Sequence, residues 1–371
     1  MASGPETVSV LDQHGSIRPT QAAEPYVDRA LAVPLDQRIG FLRDMVRTRA
    51  FDVAAANLQR QGHLALWVSS WGQEAAQVGS GRAARTQDTI FPSYREHAVG
   101  MIRGLDPLAI VRLLRGVAQG TWDPAENGNF RQYCLVLGSQ TLHATGYAMG
   151  VQFDGATATG DVERDEAVMV YLGDGATSQG DSNEALVFAA SYQAPVVFFV
   201  QNNQWAISVP VERQSRVPLA QRASGFGMPG VRIDGNDVLA AFAVTGTMLD
   251  ETRAGRGPGL IEAVTYRIQG HSSSDDPTKY RSEDELQRWT ERDPVVRLRR
   301  HLESEGVDAG TFDEIDAEAA DLAADVRHRT LELTEPLVAE MFEHVYSEPH
   351  PLMEEQLRWL RDYEASYGSD R

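Results

Sequence analysis

A carboxylate and an amide occupy positions in this chain where they can coordinate one metal ion together. Asp174 stands in a Gly-Asp-Gly sequence directly after apolar residues 167–172, and Asn203 follows apolar residues 195–200. Both runs are rich in β-branched and aromatic residues, which is typical of buried parallel strands, so the two side chains are expected at neighbouring strand ends. Carboxylate and amide oxygens suit Mg2+, which fills its remaining positions with water and phosphate oxygens. This layout predicts a cation that holds a diphosphate.

The segment between the two runs supports this placement. Residues 181–192 open with Asp181 as a capping residue, carry Glu184 three positions on, and continue with good helix formers. Strand, glycine turn, helix and strand form one crossover unit of an α/β protein with parallel strands. The turn lies at the carboxyl end of the first strand, and the positive end of the helix faces any phosphate that binds there.

Two well-known phosphate motifs do not fit this turn. The dinucleotide fingerprint needs glycine where Ser178 stands, and the phosphate loop needs lysine where Asp181 stands. A plain turn that joins strand to helix is the structural alternative. The pair Asn202 and Asn203 favours a ligand site, because an ordinary strand exit more often uses glycine or proline.

Seven separated blocks carry a resemblance to a known family: residues 59–62, 72–75, 91–96, 173–181, 201–208, 231–238 and 270–282. Across roughly residues 59–346 the chain resembles the alpha subunit of the thiamine-diphosphate-dependent 2-oxo acid dehydrogenase, the decarboxylating first component of the pyruvate and branched-chain complexes. The resemblance implies the α/β thiamine diphosphate-binding fold, with a mostly parallel sheet flanked by helices.

The resemblance also implies which residues hold the cofactor. It assigns Mg2+ to the side chains of Asp174 and Asn203 and to the Trp205 carbonyl. It assigns thiamine diphosphate to a larger set, with His271 as the catalytic residue: Tyr94, Arg95, Ser139, Thr141, Gly173, Asp174, Gly175, Ala176, Gln201, Asn203 and His271. An arginine fork pairs well with phosphate oxygens, and a tyrosine hydroxyl or an imidazole adds a donor.

Three of these assignments need comment. An isolated arginine such as Arg95 ordinarily forms a surface ion pair, and a lone histidine such as His271 ordinarily lies in a loop. The polar residues 272–276 that follow His271 are typical of a mobile loop that closes over a site. Some branched-chain members carry an arginine where this chain has Gln201, so a weaker contact with the diphosphate is expected here.

The implied activity is oxidative decarboxylation of a 2-oxo acid with acyl transfer to a lipoyl group. The resemblance implies a beta subunit that completes the active site in a heterotetramer of two alpha and two beta subunits. It also implies the lipoyl domain of a dihydrolipoyl acyltransferase as a partner, received by the loop at residues 272–281. Bacterial branched-chain members look slightly more similar than pyruvate ones, which favours 3-methyl-2-oxobutanoate as the type of substrate.

Three alternatives stay open. Pyruvate dehydrogenase and acetoin dehydrogenase alpha subunits share the metal motif. A noncatalytic scaffold that keeps the cofactor fold belongs to another class, although such a protein would be expected to have lost Tyr94, Arg95 or His271.

Composition narrows the function further. The 371 residues carry a net charge of −19 and Lys279 is the only lysine, so neither nucleic acid nor an anionic membrane is an expected partner. Cys134 is the only cysteine, which excludes an intrachain disulfide and a cysteine-cluster metal site. No segment is apolar enough to cross a bilayer, and the first residues lack a signal-peptide pattern, so a cytoplasmic location is expected.

The chain divides into three predicted parts. Residues 1–33 form an extended or disordered N-terminal arm, residues 34–282 form the cofactor-binding α/β domain, and residues 283–371 form a C-terminal helical extension. Within that extension, helices are predicted at residues 283–290, 294–304 and 312–338.

Overall fold

Five parallel strands form the central sheet in the computed structural model, which describes residues 6–118 and 121–367. The strands of the chain are β1 (Thr89–Phe91), β2 (Val168–Gly173), β3 (Val196–Asn202), β4 (Trp205–Ala206), β5 (Val209–Pro210), β6 (Gly230–Asp234) and β7 (Gly259–Val264). The sheet has the order β1-β2-β3-β7-β6, and β4 pairs with β5 in a separate antiparallel ribbon. The α/β class with a mostly parallel sheet is confirmed.

Helices cover both faces of this sheet. The helices of the described residues are α1 (Val27–Leu31), α2 (Leu35–Arg60), α3 (Glu74–Ala83), α4 (His97–Ile102), α5 (Pro107–Arg115), α6 (Ser139–Phe153), α7 (Gly180–Tyr192), α8 (Val211–Gln214), α9 (Leu219–Arg222), α10 (Val238–Arg253), α11 (Glu283–Thr290), α12 (Pro294–Ser304), α13 (Ala309–Leu331), α14 (Glu340–Glu343) and α15 (Pro351–Ala365). Successive strand residues point to opposite faces. Val197 and Phe199 therefore join the core beneath α2, α3 and α10, while Phe198 and Val200 join the core beneath α6 and α7.

The predicted crossover unit is present. β2 leads through a short 3-10 turn at Gly175–Ser178 into α7, and the chain returns as β3. The helix begins at Gly180 with Gln179 at the capping position, so the prediction that Asp181 caps it is wrong by two residues. β2 and β3 run side by side with Gly173 opposite Gln201, which brings the two carboxyl ends together.

The N-terminal segment lies along β6. Val8 donates its N–H to the carbonyl of Arg232 at 2.8 Å, and its own carbonyl accepts from the N–H of Asp234 at 2.9 Å. The buried carboxylate of Asp237 accepts the N–H groups of Val10 at 2.6 Å and Leu11 at 2.7 Å. The helix α1 lies within the predicted arm, and the predicted domain boundaries stay predictions.

The C-terminal helices α11 and α12 have the bounds that the sequence predicts. α13 ends at Leu331, seven residues before the predicted end at residue 338. Pro336 explains the difference, because proline has no N–H for a helical hydrogen bond and disfavours helical geometry in the residue before it. Across the described ranges, no helix is both long and apolar enough to cross a membrane.

Candidate active site

A cavity of about 200 Å³ opens at the carboxyl ends of β2 and β3. It brings together ten of the residues predicted for the site: Tyr94, Arg95, Gly173, Asp174, Gly175, Ala176, Gln201, Asn203, Trp205 and His271. Open α/β sheets bind ligands at this edge, because the strand ends and helix starts leave backbone N–H groups free there. The cavity is therefore the candidate active site.

Asp174 carries the negative charge of the predicted metal site. Its side chain is buried, with 1% of the residue exposed, and burial raises the pKa of the carboxyl to about 6. Gln214, at the end of α8, donates from Nε2 to Oδ2 of Asp174 at 2.7 Å. Since the described residues contain no cluster of three or more His, Cys, Asp or Glu side chains suited to a metal, an ion here needs oxygens from a ligand and water. Mg2+ is commonly bound in that way.

Asn203 lies beside Trp205 with its amide oriented by two neighbours. The N–H of Trp205 donates to Oδ1 of Asn203 at 3.3 Å, and Nδ2 of Asn203 donates to Oε1 of Gln73 at 3.3 Å. The Trp205 carbonyl, the third predicted metal ligand, accepts Nη1 of Arg267 at 3.1 Å. A carbonyl oxygen has two lone pairs, so metal ligation by Trp205 requires the second one.

Arg95 is buried rather than placed in a surface ion pair. Its Nη1 donates to the carbonyl of Ser69, and its Nη2 donates to the carbonyl of His271 at 2.8 Å. The guanidinium carbon lies 5.5 Å from the centre of the Tyr94 ring. Two backbone carbonyls therefore fix a positive charge in the wall of the cavity, where a phosphate can meet it.

Gln201 is tied into a buried network. Its Nε2 donates to Oε1 of Glu96 at 2.6 Å, and its Oε1 accepts from Nε2 of Gln77 at 3.1 Å. Glu96 also accepts the backbone N–H groups of Ser93 at 2.7 Å and Arg95 at 3.2 Å. One amide hydrogen of Gln201 remains for a ligand, so this network leaves little capacity for a diphosphate contact.

His271 lines the cavity as a neutral imidazole. Burial lowers its pKa to about 4, and the charges of Arg95 and Arg267 act in the same direction. Nη1 of Arg267 lies 3.3 Å from Nδ1 of His271. Because the guanidinium can only donate, Nδ1 accepts and the proton resides on Nε2.

The loop after His271 is closed by a polar network. Oδ2 of Asp275 accepts the N–H of His271 at 2.7 Å and also the hydroxyl of Tyr280. Nη2 of Arg267 donates to that hydroxyl at 2.6 Å. Arg281 donates to the carbonyls of Arg267 and Ile268. The fully buried Arg267 thus joins the loop to the cavity.

Ser139 and Thr141 stand apart from the other predicted contacts. The described residues that line the cavity include their neighbours Leu137 and Gln140, but neither Ser139 nor Thr141. The hydroxyl of Ser139 donates to the carbonyl of Val136 at 2.9 Å, and that of the buried Thr141 donates to the carbonyl of Gly138 at 2.5 Å. Both hydroxyls therefore serve the first turn of α6.

Sequence reasoning missed three residues: Gln73, Gln214 and Arg267. Arg267 gave a usable signal, because a positive charge stands three residues after the end of β7 and four residues before His271. Gln73 lies in a block that carried the resemblance but was given no role. Gln214 offered no signal, since it reaches Asp174 from a distant exposed segment.

Comparison with known proteins identifies the family. Residues 42–335 match the family model of the dehydrogenase E1 component, and the chain belongs to this family. It is an oxidoreductase of the 2-oxo acid dehydrogenase type, related to alpha subunits, and this membership implies dependence on thiamine diphosphate.

Two relatives show the range within the family. The chain is similar to the 3-methyl-2-oxobutanoate dehydrogenase subunit alpha of Mycobacterium tuberculosis, with 45% identity over 325 residues, which cover 85% of this chain and 84% of that protein. It is also similar to the pyruvate dehydrogenase E1 component subunit alpha of Staphylococcus aureus, with 36% identity over 304 residues, which cover 81% of this chain and 78% of that protein. The resemblance drawn from the sequence is thus confirmed.

Proposed function

We propose that this chain is the alpha subunit of a branched-chain 2-oxo acid dehydrogenase that binds thiamine diphosphate with Mg2+. One observation supports this most directly: a single cavity at the carboxyl edge of the sheet is lined by Asp174, Asn203, Arg95 and His271. The higher identity to the 3-methyl-2-oxobutanoate relative favours a branched-chain substrate over pyruvate.

The residues present fit the diphosphate end of this cofactor. The desolvated carboxylate of Asp174 is stabilised by a cation, and the buried guanidinium of Arg95 by an anion. Asp174, Asn203 and the Trp205 carbonyl would hold Mg2+. Tyr94, Arg95 and the Nε2–H of His271 would face the phosphate oxygens, with a minor contact from Gln201.

The size of the cavity supports a partner subunit. A cavity of about 200 Å³ is below the ~300–1,000 Å³ of typical sites for small molecules, so it suits part of the cofactor. Next to the lining residue Leu137, the side chains of Leu135 and Val136 are 64% and 70% exposed. Apolar residues beside a polar cavity are expected to meet another protein surface. A beta subunit, in a heterotetramer of two alpha and two beta chains, would cover them and complete the site.

In the reaction, thiamine diphosphate supplies the carbon nucleophile and the electron sink for loss of carbon dioxide. The alpha chain would position it: Arg95 would neutralise phosphate charge, Asp174 and Asn203 would hold the metal, and His271 would donate a hydrogen bond without adding a charge. Residues 272–281, which contact Arg267 through Asp275 and Tyr280, would exclude water when ligand is bound.

The proposal extends to the acyl acceptor. The lipoyl domain of a dihydrolipoyl acyltransferase would dock at residues 272–281, where the side chains of Asp276 and Lys279 are 52% and 79% exposed. The net charge of −19 supports protein and small-molecule partners rather than nucleic acid or membrane, and a cytoplasmic location belongs to the same proposal.

The test is decarboxylation by the enzyme reconstituted with its beta subunit. We expect a higher kcat/KM for 3-methyl-2-oxobutanoate and 4-methyl-2-oxopentanoate than for pyruvate, by about 10-fold or more, because each buried methylene contributes ~1–3 kcal/mol. A preference for pyruvate or for acetoin would assign the chain to that enzyme instead. An assembled heteromer that binds neither thiamine diphosphate nor Mg2+ would refute the proposal as a whole.

A further inference from the structure

Gln73 is a buried glutamine in the wall of the candidate active site, immediately before α3. Only 1% of the residue is exposed, and it lines the cavity together with Asp174 and Asn203. Its Oε1 accepts a hydrogen bond from Nδ2 of Asn203 at 3.3 Å. Its Nε2 is buried and has no hydrogen-bond partner among the described residues. Native proteins rarely leave a buried donor unpaired, so this amide needs an explanation.

The orientation of both amides follows from one obligatory donor. The backbone N–H of Trp205 can only donate, so the Asn203 atom that meets it at 3.3 Å must be the amide oxygen. The NH2 group of Asn203 therefore faces Gln73, and Gln73 must present its own oxygen in return. This relay leaves the NH2 group of Gln73 as the unpaired donor.

The backbone holds Gln73 firmly in this place. Gly72, directly before it, has φ +94°, and a Cβ added there would lie 2.2 Å from the carbonyl oxygen of Tyr266. The buried carboxylate of Glu74, directly after it, accepts the N–H of Gly72 at 2.9 Å and pairs with Arg49 at 2.8 Å. The backbone at Gln73 is thus fixed from both sides.

We infer that Gln73 is a positioning residue for the metal ion: it locks the amide of Asn203 so that the oxygen, and not the NH2 group, is available to the cation. The inference rests on the proposed function. Oδ1 of Asn203 keeps a second lone pair after it accepts from Trp205, and that lone pair would serve Mg2+. The free N–H of Gln73 pairs with an anionic oxygen of the bound ligand.

Substitution of Gln73 separates these two roles. Gln73→Met has a similar size but lacks the acceptor, so the NH2 group of Asn203 loses its partner and only the 3.3 Å contact with the N–H of Trp205 still orients the amide. We expect the Kd for Mg2+ to rise about 10–100-fold, the usual effect of losing a partner that orients a metal ligand. Gln73→Glu keeps an acceptor for Asn203 and loses the donor. It should keep Mg2+ affinity close to wild type while weakening thiamine diphosphate, because a carboxylate repels the diphosphate.

The measurement is calorimetric titration of Mg2+ into the assembled alpha-beta enzyme at saturating thiamine diphosphate, with Mn2+ and its electron paramagnetic resonance signal as a second probe. Thermal unfolding of each variant without ligands reports any general loss of stability. Gln179→Met is the matched control, since Gln179 lines the same cavity but is not bonded to Asn203 in the part of the chain that the structure describes. Its Mg2+ affinity should equal that of the wild type.

The outcomes are distinguishable. A wild-type enzyme that binds no Mg2+ and no thiamine diphosphate refutes the proposed function itself. A wild-type enzyme that binds both, together with Gln73→Met of equal Mg2+ affinity, overturns the role of Gln73. Should Gln73→Met fail to assemble, Gln73→Leu takes its place, since it also lacks the acceptor: a raised Kd for Mg2+ supports the lock, and an unchanged Kd overturns it. A loss of Mg2+ affinity in Gln73→Glu as large as that expected for Gln73→Met would also overturn the lock.

Discussion

Gln214 donates a hydrogen bond from Nε2 to Oδ2 of Asp174 at 2.7 Å, which ties the end of α8 to the carboxyl end of β2. The donor is neutral, so it fixes the direction of the carboxylate without compensating its charge. Burial of that charge raises the pKa of Asp174 to about 6. The side chain is therefore oriented for a cation and destabilised without one.

The first prediction concerns the charge of Asp174. Asp174→Asn keeps the shape and an oxygen for Gln214, but removes the negative charge that a divalent cation needs. We expect Mg2+-dependent binding of thiamine diphosphate to weaken by more than about 100-fold, beyond the usual effect of losing an outer-shell partner. Thermal unfolding without ligands should be unchanged or shifted upward, because a buried unpaired charge is gone. If calorimetry gives Asp174→Asn the same affinity as the wild type, Asp174 is not a ligand of the metal.

The second prediction concerns pH. The cation binds the carboxylate, so a proton competes with it below a pKa of about 6. The affinity of the reconstituted enzyme for Mg2+ should fall about 10-fold for each pH unit below that value.

The raised pKa of Asp174 also affects the stability of the ligand-free protein. The pKa of Asp174 is raised above its unfolded value, so its contribution to stability is complete below the unfolded pKa of 3.8 and is lost as the pH rises through about 6. Asp174→Asn should abolish this part of the pH dependence of thermal unfolding. Mg2+ affinity that does not change between about pH 5 and 7 would contradict the competition between proton and cation, and an equal pH dependence of unfolding in wild type and Asp174→Asn would contradict the effect on stability.

The strand ends of the site were predictable because their signals are local. Apolar runs of strand length end at Leu172 and Val200, shortly before Asp174 and Asn202, and parallel strands place such ends on one edge of a sheet. The register that sets Gly173 opposite Gln201 then brings the metal residues into one cavity.

The supporting residues were not predictable in this way. Gln73, Gln214 and Arg267 act through hydrogen bonds to segments that are distant in sequence, and a local pattern carries no information about such partners. Ser139 and Thr141 stay predictions as cofactor contacts. Their hydroxyls donate to carbonyls near the start of α6, so a contact with the cofactor would come from their backbone.

The third prediction concerns His271. With Nδ1 accepting from Arg267 and a pKa of about 4, the imidazole is neutral near pH 7 and presents an Nε2–H donor. His271→Ala should weaken thiamine diphosphate and slow decarboxylation by about 10- to 100-fold, since a hydrogen bond to a charged group contributes ~1.5–3 kcal/mol. His271→Gln, which keeps an N–H donor on a similar reach, should recover part of the loss. Unchanged affinity and turnover in His271→Ala would count against this contact.

The fourth prediction uses the only lysine of the chain. Lys279 lies in the loop of residues 272–281 with its side chain 79% exposed, so a lysine-specific protease can cut this chain at one bond only. The rate of that cut reports opening of the loop. We expect thiamine diphosphate with Mg2+ to slow it, because ligand-driven closure protects the bond.

Tyr280→Phe tests the network that holds this loop. The substitution removes the hydroxyl that accepts from Arg267 at 2.6 Å and donates to Asp275. Loss of about 1 kcal/mol of hydrogen bonding should raise the rate of cleavage at Lys279 about 5-fold when opening is rapid and reversible. Tyr192→Phe, at an exposed tyrosine outside the loop, is the control and should be cut at the wild-type rate. Mass spectrometry of the alpha chain gives the rates, and equal cleavage of the wild type with and without cofactor would show that the ligand does not order the loop.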